Sequence, residues 1–173
     1  IPTSKTYNRG YNGWNWDGKT IVSNAIGQGE VLMTPIQLAN FMATVANRGY
    51  YYTPHIVKRI KGNIIDKNYR TKHTTTIDRK YFEPIINGMN AVYSSGGTAS
   101  GLGVAGIEIC GKTGTAENYL KVNGKRVKLQ DHSIFVAFAP KDNPKIAIAV
   151  IVENGYWGKR WAGPISTLMI EKY

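Results

Sequence analysis

The chain has 173 residues, 42% of them apolar and 11% aromatic, which is one domain's worth of sequence with material for a sizeable core, so a disordered or low-complexity chain is excluded. Its 22 basic against 11 acidic residues give a formal charge of +11, which favours anionic partners, yet the basic side chains are dispersed (Lys58, Arg59, Lys61; Lys121, Lys125, Arg126, Lys128) and read as a solvated surface ahead of nucleic-acid binding. A single cysteine, Cys110, excludes an internal disulfide framework and a cysteine metal cluster, and with His55, His73 and His132 scattered, no metal and no cofactor is expected.

The longest unbroken apolar run, Ile146 to Val152, falls far short of the ~20 residues a membrane helix needs, so no anchor is expected within this chain. The sequence begins Ile1-Pro2, without an initiator methionine or a signal segment, and reads as a processed piece of something longer. Residues 1–33 are rich in Gly, Asn, Trp and Tyr without a sustained period, and are expected to be irregular around Trp14 and Trp16. The clearest helix follows, with Thr34 as N-cap, Pro35 at its first position, Gln37 completing a capping box and Gly49 as the stop. Leu38, Phe41, Met42, Val45 and Ala46 give it one apolar face.

Pro54 to Ile60 and Ile64-Ile65 flank Lys61-Gly62-Asn63, which predicts a small exposed hairpin. Asp78 is placed to cap a second helix, in which Phe82, Ile85, Ile86, Met89 and Val92 repeat at helical spacing. Residues 94–99 (Ser-Ser-Gly-Gly-Thr-Ala) are a loop by composition. Three strands are expected at about 107–116, 133–139 and 145–152, the last two antiparallel across the short turn at 140–144. Residues 118–130 should fold back at Asn123-Gly124 as a hairpin extension of the first two strands, and Pro164, Ile165, Leu168 and Met169 should open a closing helix on the sheet. Strands and helices are segregated, which predicts an α+β domain: an antiparallel sheet with packed helices and no internal repeat.

The stretch with chemistry in it is Lys112-Thr113-Gly114-Thr115, which closes the β-branched run Ile107, Ile109, Cys110 and so falls at the end of a strand. An ammonium and two hydroxyls on a sheet edge make a carboxylate receptor, each charge-assisted hydrogen bond contributing roughly 1.5–3 kcal/mol. Gly114 would let a ligand backbone approach. Standing alone, K-T-G is short enough to occur by accident, and a lysine and threonines on a solvated strand end explain it as well. Gly106, Gly111, Lys112 and Thr113 also satisfy the phosphate-loop pattern, but the intervening residues look like a strand and no helical period follows. Gly101, Gly103 and Gly106 spell a dinucleotide fingerprint on the wrong side of the strand.

Trp16 with Gly18-Lys19-Thr20-Ile21, then Ile26-Gly27-Gln28-Gly29-Glu30, Thr34-Pro35-Ile36-Gln37-Leu38-Ala39, Gly97-Thr98-Ala99, Gly111-Lys112-Thr113-Gly114-Thr115-Ala116 and Phe138-Ala139-Pro140 agree in order and spacing over nearly the whole chain. Together they resemble the carboxy-terminal part of the transpeptidase domain of class B penicillin-binding proteins, in particular the elongation-type penicillin-binding protein 2 branch; K-T-G is one motif of that family and of the serine β-lactamases. The resemblance implies that residues 1–173 are a partial transpeptidase domain of that β-lactamase-like fold. The implied activity is D,D-transpeptidation: a serine attacks the penultimate D-Ala of a peptidoglycan stem peptide, the terminal D-Ala leaves, and the acyl group passes to an amine on another stem.

In that scheme Lys112, Thr113, Gly114 and Thr115 bind substrate or a β-lactam antibiotic by its carboxylate. The backbone N–H of Thr115 would be an oxyanion-hole donor, worth of the order of 3 kcal/mol in the transition state. The implied partners are peptidoglycan stem peptides, β-lactams, a lipid-dependent glycan polymerase and other elongation-machinery proteins, with no nucleic acid. The implied location is the periplasmic face of the bacterial inner membrane, with the anchor outside this chain.

The departure from the family is large. Ser4, Ser23, Ser94, Ser95, Ser100, Ser133 and Ser166 are followed three residues on by Tyr7, Ile26, Gly97, Thr98, Gly103, Val136 and Met169, so no S-x-x-K nucleophile motif is present, and S-x-N is absent as well. Asp131, His132 and Ser133 are adjacent, but consecutive residues seldom converge into a triad. The expectation is one wall of a transpeptidase site, unable to form an acyl-enzyme alone. The alternatives are a non-catalytic binding or scaffold domain of the same fold and, in another class, a nucleotide- or nucleic-acid-binding protein.

Overall fold

The computed structural model describes residues 3–10, 16–61 and 65–173, in two units, 1–34 and 35–173. In the first unit, α1 (Ser4–Gly10) and α2 (Gly18–Ala25) occupy the stretch expected to be irregular. Asp17 caps α2 by accepting from the Lys19 N–H at 2.9 Å, and no residue of α2 is buried, so the helix carries no core-facing period for a sequence pattern to show. The Asn24 side chain joins the unit together, donating to the Tyr7 hydroxyl and accepting from the Glu30 N–H. The Trp16 indole N–H donates to Asn8, while Trp14 lies outside the described residues.

The second unit opens with α3 (Pro35–Ala46), which starts at the expected proline. Met42, Val45 and Ala46 bury one side of it, whereas Phe41, expected on that face, is 57% exposed. Gly49 terminates the turn at φ +106°, its N–H returning to Thr44 O. Two short strands, β1 (Tyr50–Tyr51) and β2 (His73–Thr74), pair antiparallel, with the single turn α4 (Lys67–Arg70) between them. The hairpin expected around Lys61 falls partly on residues 62–64, outside the described residues, and residues 52–59 form no strand. Asp78 caps a 3-10 turn, Arg79–Tyr81, that leads into α5 (Phe82–Ala91).

The sheet is β3 (Cys110–Ala116), β6 (His132–Ala139) and β7 (Ile146–Val152), antiparallel in the order β3-β6-β7. Between β3 and β6, β4 (Tyr119–Val122) and β5 (Lys125–Lys128) turn at Asn123 (φ +48°) and Gly124 (φ +78°), the pair of positive angles an Asn-Gly turn supplies, and pair only with each other, as a separate hairpin and not as the expected extension of β3 and β6. The last helix, α6 (Ala162–Lys172), closes the chain.

Alternation along β6 sorts the core into two faces. Phe135, Ala137 and Ala139 join Ile109, Ala99 and, from α6, Ala162 and Ile170; Phe138 joins Cys110 with Met42 and Val45 of α3 and Phe82 and Ile86 of α5. The sheet therefore carries α6 on one face and α3 with α5 on the other, the segregated α+β arrangement the sequence predicts.

Candidate functional site

The four residues singled out by sequence are consecutive in β3, an edge strand of this sheet: its partner is β6, and among the described residues no strand pairs with its other side. The base of the strand is anchored from α5. Asn90 donates to Ile109 O at 3.0 Å, and the buried Cys110 thiol points at Ile86 O, burial pushing its pKa up to about 12. Gly111 is closely packed: a Cβ there would stand 3.0 Å from the Phe135 ring and 3.1 Å from the Tyr93 hydroxyl, and those side chains would have to give by a few tenths of an ångström. Among the described residues that hydroxyl has no hydrogen-bond partner, and its pKa is raised, first by burial and then by the neighbouring Cys110.

Register assigns the side chains to faces, because residues directly opposite in an antiparallel pair share one. Lys112 lies opposite Val136, on the face of α3 and α5; Thr113 and Thr115 lie opposite Phe135 and Ser133, on the face of α6. The ammonium and the hydroxyls therefore straddle the edge from its two sides. The Lys112 Nζ donates to Thr113 O at 2.9 Å, a carbonyl that a carboxylate can displace. The Thr113 Oγ1 donates to the Thr98 Oγ1 at 3.1 Å. Among the described residues the ion pairs are Arg48–Glu83, Lys80–Asp78 and Lys128–Asp131, and Lys112 is in none of them.

Behind the strand, residues 155–158 come against Ser133, on the α6 face. A Cβ on Gly158 would overlap Ile134 O and stand 2.8 Å and 2.9 Å from O and N of Gly114, so this loop touches the candidate site backbone to backbone. Ser133 fastens it: the fully buried hydroxyl donates to Trp157 O at 2.9 Å and accepts from the Ala162 N–H at 3.1 Å. The Ser133 hydroxyl is thus committed to the scaffold. Its neighbour His132 projects to the other face and accepts from the Asn154 N–H, so Asp131, His132 and Ser133 do not assemble into a triad.

Gly111-Lys112-Thr113 lies inside a strand and opens no helix, which rules out a phosphate loop there. No three His, Cys, Asp or Glu side chains converge among the described residues. Gly158, which touches Gly114, escaped sequence reasoning, whereas Thr98 was read only as part of the family pattern and Ser133 only as a neighbour of His132. Thr98 reaches Thr113 from 15 positions away and Gly158 reaches Gly114 from 44, distances no local pattern encodes.

The family model described as penicillin binding protein transpeptidase domain matches residues 3–171. A relative named peptidoglycan D,D-transpeptidase MrdA, from Haemophilus influenzae, is 33% identical over all of this chain and 28% of its own length; the protein of that name from Acinetobacter baumannii is 36% identical over 83% of this chain and 23% of its own. The chain thus spans about a quarter of the length of these curated relatives.

Among solved structures, Pseudomonas aeruginosa PBP2 in complex with WCK 5153 superposes with a TM-score of 0.79 at 33% identity, over 99% of this chain and 37% of that one. Helicobacter pylori PBP2 in complex with MreC superposes with a TM-score of 0.78 at 27% identity, over 99% and 30%. The imipenem acyl-enzyme of penicillin-binding protein A from Mycobacterium tuberculosis does so with a TM-score of 0.72 at 29% identity, over 90% and 34%.

Proposed function

The chain belongs to the penicillin-binding protein transpeptidase family, and we propose that it is the carboxy-terminal part of a peptidoglycan D,D-transpeptidase domain and builds one wall of its active site. The observation that carries this reading is the placement of Lys112-Thr113-Gly114-Thr115 on an edge strand whose outer side pairs with no other strand among the described residues, with cation and hydroxyls reaching that edge from opposite faces.

The carboxylate of a D-Ala-D-Ala stem peptide, or of a β-lactam, docks on the Lys112 ammonium and the hydroxyls of Thr113 and Thr115. The edge of β3 extends its ladder to the peptide backbone, as in strand addition. The Thr115 N–H faces the oxyanion formed when a serine attacks the penultimate carbonyl; the C–N bond then breaks, and the terminal D-Ala departs with its amine carrying the proton that the serine hydroxyl gave up. That serine lies in an S-x-x-K segment outside residues 1–173, so this chain alone forms no acyl-enzyme. β-Lactams acylate the same serine, in keeping with the imipenem acyl-enzyme of the mycobacterial relative.

The whole protein works at the periplasmic face of the inner membrane, held by an anchor outside this chain, beside a lipid-dependent glycan polymerase and other elongation-machinery proteins. The complex of the Helicobacter pylori relative with MreC supports partners of that kind. Among the described residues no helix is long and apolar enough to cross a membrane.

Acylation kinetics of the full-length protein test the reading. Lys112→Ala removes a charge-assisted contact and should slow acylation by a labelled penicillin about 10- to 100-fold. An unreactive wild-type protein would instead identify a non-catalytic scaffold of the same fold, and an unaffected Lys112→Ala variant would remove Lys112 from the site.

A further inference from the structure

Thr98 is not one of the residues that the K-T-G-T reading places in the site, yet its hydroxyl is 3.1 Å from that of Thr113. We propose that Thr98 is a positioning residue for carboxylate recognition, acting through Thr113; the inference rests on the transpeptidase reading above.

The segment that presents Thr98 is held on both sides. Gly97 is pressed against the carboxy-terminal end of α5 so closely that a Cβ would stand 2.6 Å from the Val92 carbonyl carbon and 2.7 Å from Ala91 O, which only glycine permits. Ala99 is fully buried in the core, its N–H bonded to Val92 O at 2.9 Å. Leu102 N returns to Ala99 O, and the Thr167 hydroxyl of α6 holds Leu102 O at 2.8 Å. Thr98 itself is exposed, between these two packed and hydrogen-bonded neighbours, and its hydroxyl meets that of Thr113 on β3.

A threonine hydroxyl has one proton and two lone pairs. In the structure as it stands Thr113 spends its proton on Thr98. A carboxylate accepts only, so binding turns the Thr113 proton towards the anion, and Thr98 then donates its own proton to the Thr113 oxygen. The two hydroxyls reverse as a relay, no covalent bond changes, and a donor in turn receiving a hydrogen bond is the stronger donor. Valine at 98 keeps the shape and removes the relay.

The test uses the full-length protein and two probes, benzylpenicillin and its methyl ester, which keeps the β-lactam and loses the anion. Thr98→Val should slow acylation by the acid about 3- to 10-fold, the range of one neutral hydrogen bond, and leave the ester rate unchanged. Thr98→Ser should restore the acid rate to within about twofold, and Thr98→Val added to Thr113→Val should cost nothing further. Equal slowing of both probes, or none, overturns the inference and leaves Thr98 a structural residue. A wild-type protein that does not distinguish acid from ester, or reacts with neither, fails at the earlier step and overturns the carboxylate-receptor reading together with this one.

Discussion

Gly158→Ala is the perturbation that most sharply probes how the strand edge is held. The new methyl would overlap Ile134 O and stand 2.8 Å and 2.9 Å from O and N of Gly114, distances that Cβ atoms do not tolerate. All three obstacles are backbone atoms of β3 and β6, so no side-chain rotation relieves them. Either the loop lifts, breaking the Ser133 contacts to Trp157 O and Ala162 N, or Gly114 shifts and strains the ladder opposite Ile134. Overpacking of this kind costs about 1–3 kcal/mol. Urea unfolding should show that loss as a lower midpoint at unchanged slope. In the full-length protein a Gly114 moved by tenths of an ångström should also slow penicillin acylation severalfold, since misplacement by about 1 Å can cost 100-fold. Gly88→Ala is the control: it is a helical glycine in α5 with nothing within 4 Å of a Cβ, and should gain about 0.5–1 kcal/mol. A Gly158→Ala variant as stable and as reactive as the wild type would refute the close-approach argument.

Ser133→Ala leaves the Ala162 N–H and Trp157 O without their partner in a fully buried position, and should destabilise the chain by about 1–3 kcal/mol, read by the same unfolding experiment. Glu83 accepts from the Arg48 guanidinium at 2.8 Å, which holds its carboxyl below the usual carboxylate range. A depressed folded-state value stabilises above the unfolded pKa and is lost as pH falls through the folded one. Wild type should therefore exceed Glu83→Gln in thermal stability at pH 7, and the gap should narrow steadily as acid takes the pH down through the folded-state value, below the usual carboxylate range; a gap unchanged by acid would show that the pair is not electrostatic.

The parts of the fold legible in sequence are those with a period or a turn signal long enough to read. The helix from Pro35, the Asn123-Gly124 hairpin and the three strands ending at Ala116, Ala139 and Val152 all have one. The helices α1 and α2 do not, because their residues bury no repeating face; the Asp17 cap ahead of Gly18 was the one signal available. Strands of two residues, Tyr50–Tyr51 and His73–Thr74, are too short to alternate. At the candidate site, Lys112 to Thr115 were visible as a motif because they are contiguous. What surrounds them comes from elsewhere: Thr98 from a loop that Gly97 and Ala99 fix in place, and Gly158 from beyond β7. Register also added what no motif shows, that Lys112 and the threonines approach the edge from opposite faces.

The central claim is that this chain supplies the carboxylate-binding wall and not the nucleophile. Intact mass spectrometry after incubation with a labelled penicillin tests it most directly, comparing residues 1–173 with the full-length protein. The account predicts one covalent adduct on the full-length protein and none on the 173-residue chain; a stoichiometric adduct on the chain itself would contradict it.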